Sequence, residues 1–160
     1  MGLLSAAEAL RQLVTALFDK VKPDGSAFTL PVPENEEVVA LLSAEDDASG
    51  RTSDELTNRY GQGVAILIDV TEATDATLSA VRVQMKVGAA WMSIAEFTSL
   101  VLTDVGPYAF LVYPGSALMT GWTATPVDSR VLRRYRIEVT TNANGSSKTM
   151  TYGVTCVHLL

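Results

Sequence analysis

The sequence predicts an antiparallel all-β fold, a β-sandwich or jelly roll of roughly seven or eight strands, behind an N-terminal helical arm. Three observations predict it. No helical periodicity continues after about Val39, short apolar or alternating runs are divided by turn residues, and an Asn144-Gly145 pair separates the last two alternating runs. Together they exclude a parallel α/β sheet, whose strands need long helical crossovers.

The arm comes first. Leu3, Ala7, Leu10, Val14, Leu17 and Val21 recur at steps of four and three, which places them on one helical stripe. Leu4, Leu13 and Phe18 widen that stripe, and Pro23-Asp24-Gly25 ends the helix by removing a donor and permitting a tight turn. The seam is short for a free-standing coiled coil, so its apolar face is expected to dock on the β domain or on a neighbouring protein. Pro31 and Pro33 make the next stretch an extended tether. The expected organisation is an arm over 1–24, a linker over 25–36 and a β domain over 37–160.

Val38 to Leu42 suggest a first strand, and the polar stretch Ser43 to Gly63 is expected to be a long loop. Val64 to Val70 is a continuous apolar run, as in a central strand covered on both faces. Val81, Val83, Met85 and Val87 alternate with Arg82, Gln84 and Lys86, giving a strand with one wet face before a turn at Gly88. Trp91 to Phe97, Tyr108 to Tyr113 and Val131 to Thr140 supply further strands. Asn144-Gly145 is expected to close a hairpin with Met150 to Leu159, since Asn-Gly accepts the positive φ angles of a hairpin turn. Pro114 to Ser129 is the long later insertion, and its Trp122 suits either a cover on the core or an interface anchor.

The net charge of −6 argues against nucleic acid, whose phosphates are bound by clustered Lys and Arg. From Glu34 to Glu55 eight acids stand against Arg51, leaving the rest of the 160-residue chain at +1. Arg130, Arg133, Arg134, Arg136 and Lys148 form a later basic group, so opposite charges are available to meet within or between subunits. No signal-peptide or membrane-spanning pattern is present in Met1 to Val21, which points to synthesis in the cytoplasm and no membrane partner. Cys156 is the one cysteine, so no disulfide can form within the chain.

His158 is the one histidine and a poor general base so near the end of the last strand. It shares a face of the last strand with Cys156, and the two make only two potential metal ligands where structural zinc uses four. Asp69, Glu72 and Asp75 at a strand end, and Asp46 with Asp47 in the acidic stretch, read as solvated turn carboxylates rather than a calcium loop. Gly61-Gln62-Gly63 precedes a strand, opposite to the context of a dinucleotide site. The expectation is a non-enzymatic protein with no catalytic, cofactor or metal residues. The tentative interaction residues are Leu3, Leu10, Val14, Leu17, Phe18 and Trp122.

Leu41-Leu-Ser-Ala44, the loop ending Gly61-Gln-Gly63, the strand Val64-Ala-Ile-Leu-Ile-Asp-Val-Thr71, Val112-Tyr-Pro-Gly115 and Arg134-Tyr-Arg-Ile-Glu-Val-Thr140 occur in this order. In that order the chain resembles small β-rich virion structural proteins of tailed bacteriophages. The resemblance implies a head decoration (cement) protein that binds the outside of the capsid and stabilises it. Its expected partners are the major capsid protein or other virion proteins, and its expected state a homo-oligomer, with a trimer favoured. The arm and proline linker depart from the usual pattern. Two other readings stay open: a neck or tail component, and a carbohydrate-binding module using Trp91, Trp122, Tyr108 or Tyr113 as stacking platforms.

Overall fold

A computed structural model describes residues 35–160 apart from 47, 117–120 and 146, and within these residues nine strands form two antiparallel sheets. The strands are β1 (Glu36–Asp46), β2 (Ala48–Thr52), β3 (Leu56–Thr57), β4 (Gly63–Thr74), β5 (Leu78–Val87), β6 (Ala90–Phe97), β7 (Gly106–Val112), β8 (Arg134–Asn144) and β9 (Thr149–Leu159). Sheet A runs β1-β9-β4-β7 and sheet B runs β2-β8-β5-β6, with β3 also paired to β8. The chain is a β-sandwich, as its alternating pattern predicts. The helical arm over 1–24 and nearly all of the linker lie outside the described residues; Glu36, placed at the linker's end, opens β1.

The core forms between the two inner faces. Val64, Ile66, Ile68 and Val70 of β4, Phe110 and Val112 of β7, and Met150, Tyr152, Val154 and Cys156 of β9 come from sheet A. Val81 and Val83 of β5, Ala95 and Phe97 of β6, and Tyr135, Ile137 and Val139 of β8 come from sheet B. Phe97 and Phe110 meet across the layers with ring centroids 5.0 Å apart and planes tilted by 46°, a geometry favoured by the ring quadrupoles. β4 is flanked by β9 and β7, and its outward Ala65 and Leu67 are buried as well. A strand buried on both faces has no use for alternation, which is why its sequence is a continuous apolar run.

Two expectations are corrected. Ser43 to Gly63 is not one long loop: β1 continues to Asp46, and β2 and β3 follow as short edge strands on β8. Ala-Ser-Gly-Arg-Thr in β2 has no apolar alternation because backbone pairing at an edge, rather than burial of its side chains, holds it. The turn at Asn144-Gly145 is real, with Gly145 at φ 71° and the Asn144 N–H donating to the Lys148 carbonyl at 3.0 Å. The strands it joins do not form a hairpin, because β8 belongs to sheet B and β9 to sheet A. Positive φ allows a reversal of direction; the flanking residues found better partners in β5, β1 and β4.

Candidate interaction surface

The sandwich has two ends. The corner end holds the passage from β1 to β2, the β4–β5 turn, the 98–105 connection and the β8–β9 turn, while the hairpin end holds the start of β1, the β5–β6 turn and residues 113–133.

Near the hairpin end a polar chain crosses the core. The Tyr135 hydroxyl is 2.8 Å from Nε2 of His158, and Nδ1 of that ring is 3.2 Å from Oε2 of Glu36. A carboxylate only accepts, so Nδ1 carries the hydrogen, and in the neutral ring Nε2 accepts from Tyr135. Arg59 approaches the other Glu36 oxygen at 3.7 Å. His158, Tyr135 and Cys156 have no exposed surface. Burial depresses the His158 pKa below its ordinary value against the pull of Glu36, raises that of Tyr135 and pushes the Cys156 thiol up to about 12. The last strand does bring Cys156 and His158 to one face, where the bonds of His158 to Tyr135 and Glu36 fasten β1, β8 and β9 together.

The corner end has its own buried node. Asp46 is 2% exposed, and its Oδ2 accepts from the Thr141 hydroxyl at 2.7 Å and the Tyr152 hydroxyl at 3.3 Å. Its Oδ1 accepts from the Ala48 and Gly50 N–H groups at 3.0 and 3.2 Å. Bulges in β1 between Val39 and Ala44 free carbonyls from the ladder. Arg51 takes them up, donating to Leu42 O at 2.8 Å and Ala44 O at 3.3 Å, and also to Tyr152 O at 2.9 Å. These residues let the chain pass from one sheet to the other.

The outer face of sheet B is a flat lattice of charges. Arg82 donates to Glu96 at 2.9 Å and to Glu138 at 2.7 Å, Gln84 to Glu138 at 2.9 Å, and Arg136 to Gln84 at 2.7 Å. Glu55 accepts from Lys86 at 2.8 Å and from Arg134, which together hold its carboxyl down at about 2. Part of the acidic segment thus meets part of the basic one within the chain. Each exposed pair contributes little alone, but the lattice fixes the side chains in one plane.

Among the described residues no three His, Cys, Asp or Glu side chains group as metal ligands. Asp69 and Glu72 lie within β4 rather than beyond its end. The aromatic groups considered as sugar platforms are largely engaged: Arg136 and Lys86 sit 4.5 and 5.4 Å from the Trp91 ring centroid, Tyr108 donates to Asp104 O at 2.7 Å and Tyr113 to Leu160 O at 2.8 Å. Trp122 is half-buried in a connection that protects the edge of β7, where the Thr123 and Val127 N–H groups donate to the Ala109 and Leu111 carbonyls at 2.8 and 2.9 Å. Leu3, Leu10, Val14, Leu17 and Phe18 lie outside the described residues.

The sequence did not single out the apolar residues the fold leaves exposed: Val87, Met92 and Leu132 at the hairpin end and Val101 and Val105 in the 98–105 connection, besides Val39 and Leu42 on β1. Val87 continues the alternation of a core-facing strand, so no local signal separates it from Val81 or Val83. Only the facing sheet does.

No protein family profile and no curated protein matches the chain. Among solved structures it is similar to chains of infectious bursal disease virus, Gx strain and Gt strain, each at 11% identity and a TM-score of 0.39. The match covers 84% and 85% of this chain and 36% and 37% of those chains, so this chain spans little more than a third of their length. A likeness at that identity and TM-score assigns no function.

Proposed function

We propose that this protein is a non-enzymatic structural component of a virion, a decoration protein that binds the outside of a tailed-phage head and stabilises it. One observation supports the non-enzymatic part above others: the single histidine and cysteine, His158 and Cys156, are fully buried, and His158 fastens strands together. The order of motifs from Leu41 to Thr140 supports the class. In this reading the exposed outer lattice and the stripe Leu3, Leu10, Val14, Leu17 and Phe18 serve attachment, with the major capsid protein as partner. In this reading the protein is a homo-oligomer, with a trimer around local threefold positions favoured.

Stabilisation then follows from mass action. A protein that binds the assembled shell and not its free subunits raises the shell's resistance to heat without any reaction. Quantitative gel densitometry of purified particles tests this: many copies per particle, and earlier thermal rupture of particles depleted of the protein, are the expected results. A few copies per particle would instead indicate the neck or tail reading.

A further inference from the structure

The chain has four asparagines, and Asn144 alone among them is followed by glycine. Asn58 is 1% exposed and bound through both side-chain atoms: its Nδ2 donates to Val131 O at 2.8 Å, and its Oδ1 accepts from the Tyr60 and Gly61 N–H groups at 3.1 and 3.2 Å. Asn142 accepts from the Thr77 N–H and precedes Ala143, while Asn35 precedes Glu36. Asn144 is exposed, and its side chain has no hydrogen-bond partner among the described residues.

Few contacts hold the backbone there. β8 and β9 part to different sheets, so no ladder between them clamps the turn. The Asn144 N–H donates to Lys148 O at 3.0 Å, the Lys148 N–H returns to Gly145 O at 3.3 Å, and Ala48 at the start of the short edge strand β2 is the strand partner of Asn144. The Gly145 N–H has no partner among the described residues, and nothing lies within 4 Å of the place a Gly145 Cβ would take. A free side-chain amide therefore precedes an unbonded backbone nitrogen on a residue with no side chain to crowd it.

We propose that Asn144 is a modification site, at which the folded protein passes without an enzyme to an aspartyl and an isoaspartyl form. The Gly145 nitrogen gives its proton to hydroxide or water and bonds to Cγ of Asn144. The Cγ–Nδ2 bond breaks, and Nδ2 takes up a proton and leaves as ammonia. Water then opens the cyclic imide that remains. Cleavage of its Cγ–N bond gives Asp at 144; cleavage of its other C–N bond, at the backbone carbonyl carbon, gives isoaspartate, whose main chain runs through Cγ. Neither oxidant nor reductant is needed. Both products carry one more negative charge than the −6 of the chain, and the iso form lengthens the main chain beside the first rung of β2 on β8, Ala48 with Asn144. The proposal stands apart from the virion reading, because it concerns the purified protein alone.

Incubation of the full chain at neutral and mildly alkaline pH, followed by tryptic mapping, is the test. Cleavage after Arg136 and Lys148 releases residues 137–148, and fragmentation of that peptide places a gain of about 1 Da at residue 144 rather than at Asn142. The gain accumulates faster as pH rises, because the attacking nitrogen must lose its proton. Opening a weakly held turn costs little, so the folded chain is converted within about tenfold of the rate in guanidinium chloride. Asn144→Gln, whose longer side chain must close a larger ring, and Gly145→Ala, whose Cβ crowds the attacking nitrogen, each slow the gain by about tenfold or more. Both slow it in denaturant as well, where folding plays no part. A folded chain that keeps its mass at residue 144 while the unfolded chain is converted, conversion at Asn142 as fast as at Asn144, or variants with unchanged rates overturns the proposal.

Discussion

His158 carries a pH dependence whose sign is fixed by its surroundings. Its folded-state pKa lies below the ordinary value of 6.5 because burial disfavours the imidazolium more than Glu36 favours it. The unfolded chain therefore takes up the proton more readily. Stability from the neutral ring is fully present above about pH 6.5 and is lost as pH falls through the folded-state value. Denaturant midpoints measured between pH 7.5 and pH 5 are expected to fall, and in His158→Gln the share of that fall due to this ring disappears. Tyr135→Phe, which removes the donor to Nε2, is expected to cost about 1–3 kcal/mol at neutral pH. Asp46 is the second residue of this kind. Asp46→Ala leaves two N–H groups and two hydroxyls without their acceptor, an expected loss of about 2–4 kcal/mol by chemical denaturation. Asp46→Asn keeps an oxygen for the N–H groups and loses less. The sequence put Cys156 and His158 on one strand face, but Glu36 is 122 positions from His158, and no local pattern announces a partner at that distance.

At the scale of elements, legibility follows burial. β4, β5 and β9 declare themselves through apolar runs or alternation because their side chains contact the core. β2 and β3 do not, because what holds them is pairing of their backbones to β8. Gly50 shows how tight that pairing is. It adopts φ +141°, and a Cβ there falls 2.4 Å from the Val139 carbonyl oxygen, so backbone must move to admit one. Gly50→Ala is expected to destabilise by about 2 kcal/mol or more and to detach β2, seen as faster amide exchange in Ala48–Thr52 and on the facing part of β8. Asn144-Gly145 teaches the complementary lesson: the turn was legible in two residues, but its flanking strands part to different sheets.

Among the described residues as a whole, charge and apolar surface are arranged by layer. The acidic segment and the basic group looked like separate features of the chain, and the fold joins some of their members through Glu55, Lys86 and Arg134 while leaving Arg130 and Arg133 on the surface. The attachment role proposed for the arm belongs to this scale too. Leu10→Glu or Leu17→Glu introduces a charge into the stripe. Either is expected to reduce occupancy on particles by about tenfold or more, measured by densitometry after rebinding to depleted particles. Unchanged occupancy removes the arm from the attachment surface.

By itself the sequence determined an antiparallel all-β fold of sandwich or jelly-roll type, that Val64 to Val70 is a central strand, and that the single histidine and cysteine share a strand face. Side-chain alternation and apolar runs are local consequences of burial, so they can be read without knowing the partner. Tertiary structure alone decided which strands pair, where the chain changes sheets, what surrounds His158 and Asp46, and that Val87 and Met92 emerge while Val83 and Ala95 do not. Each of these depends on contacts between residues far apart in sequence, and the chain records no local trace of a neighbour it meets only after folding.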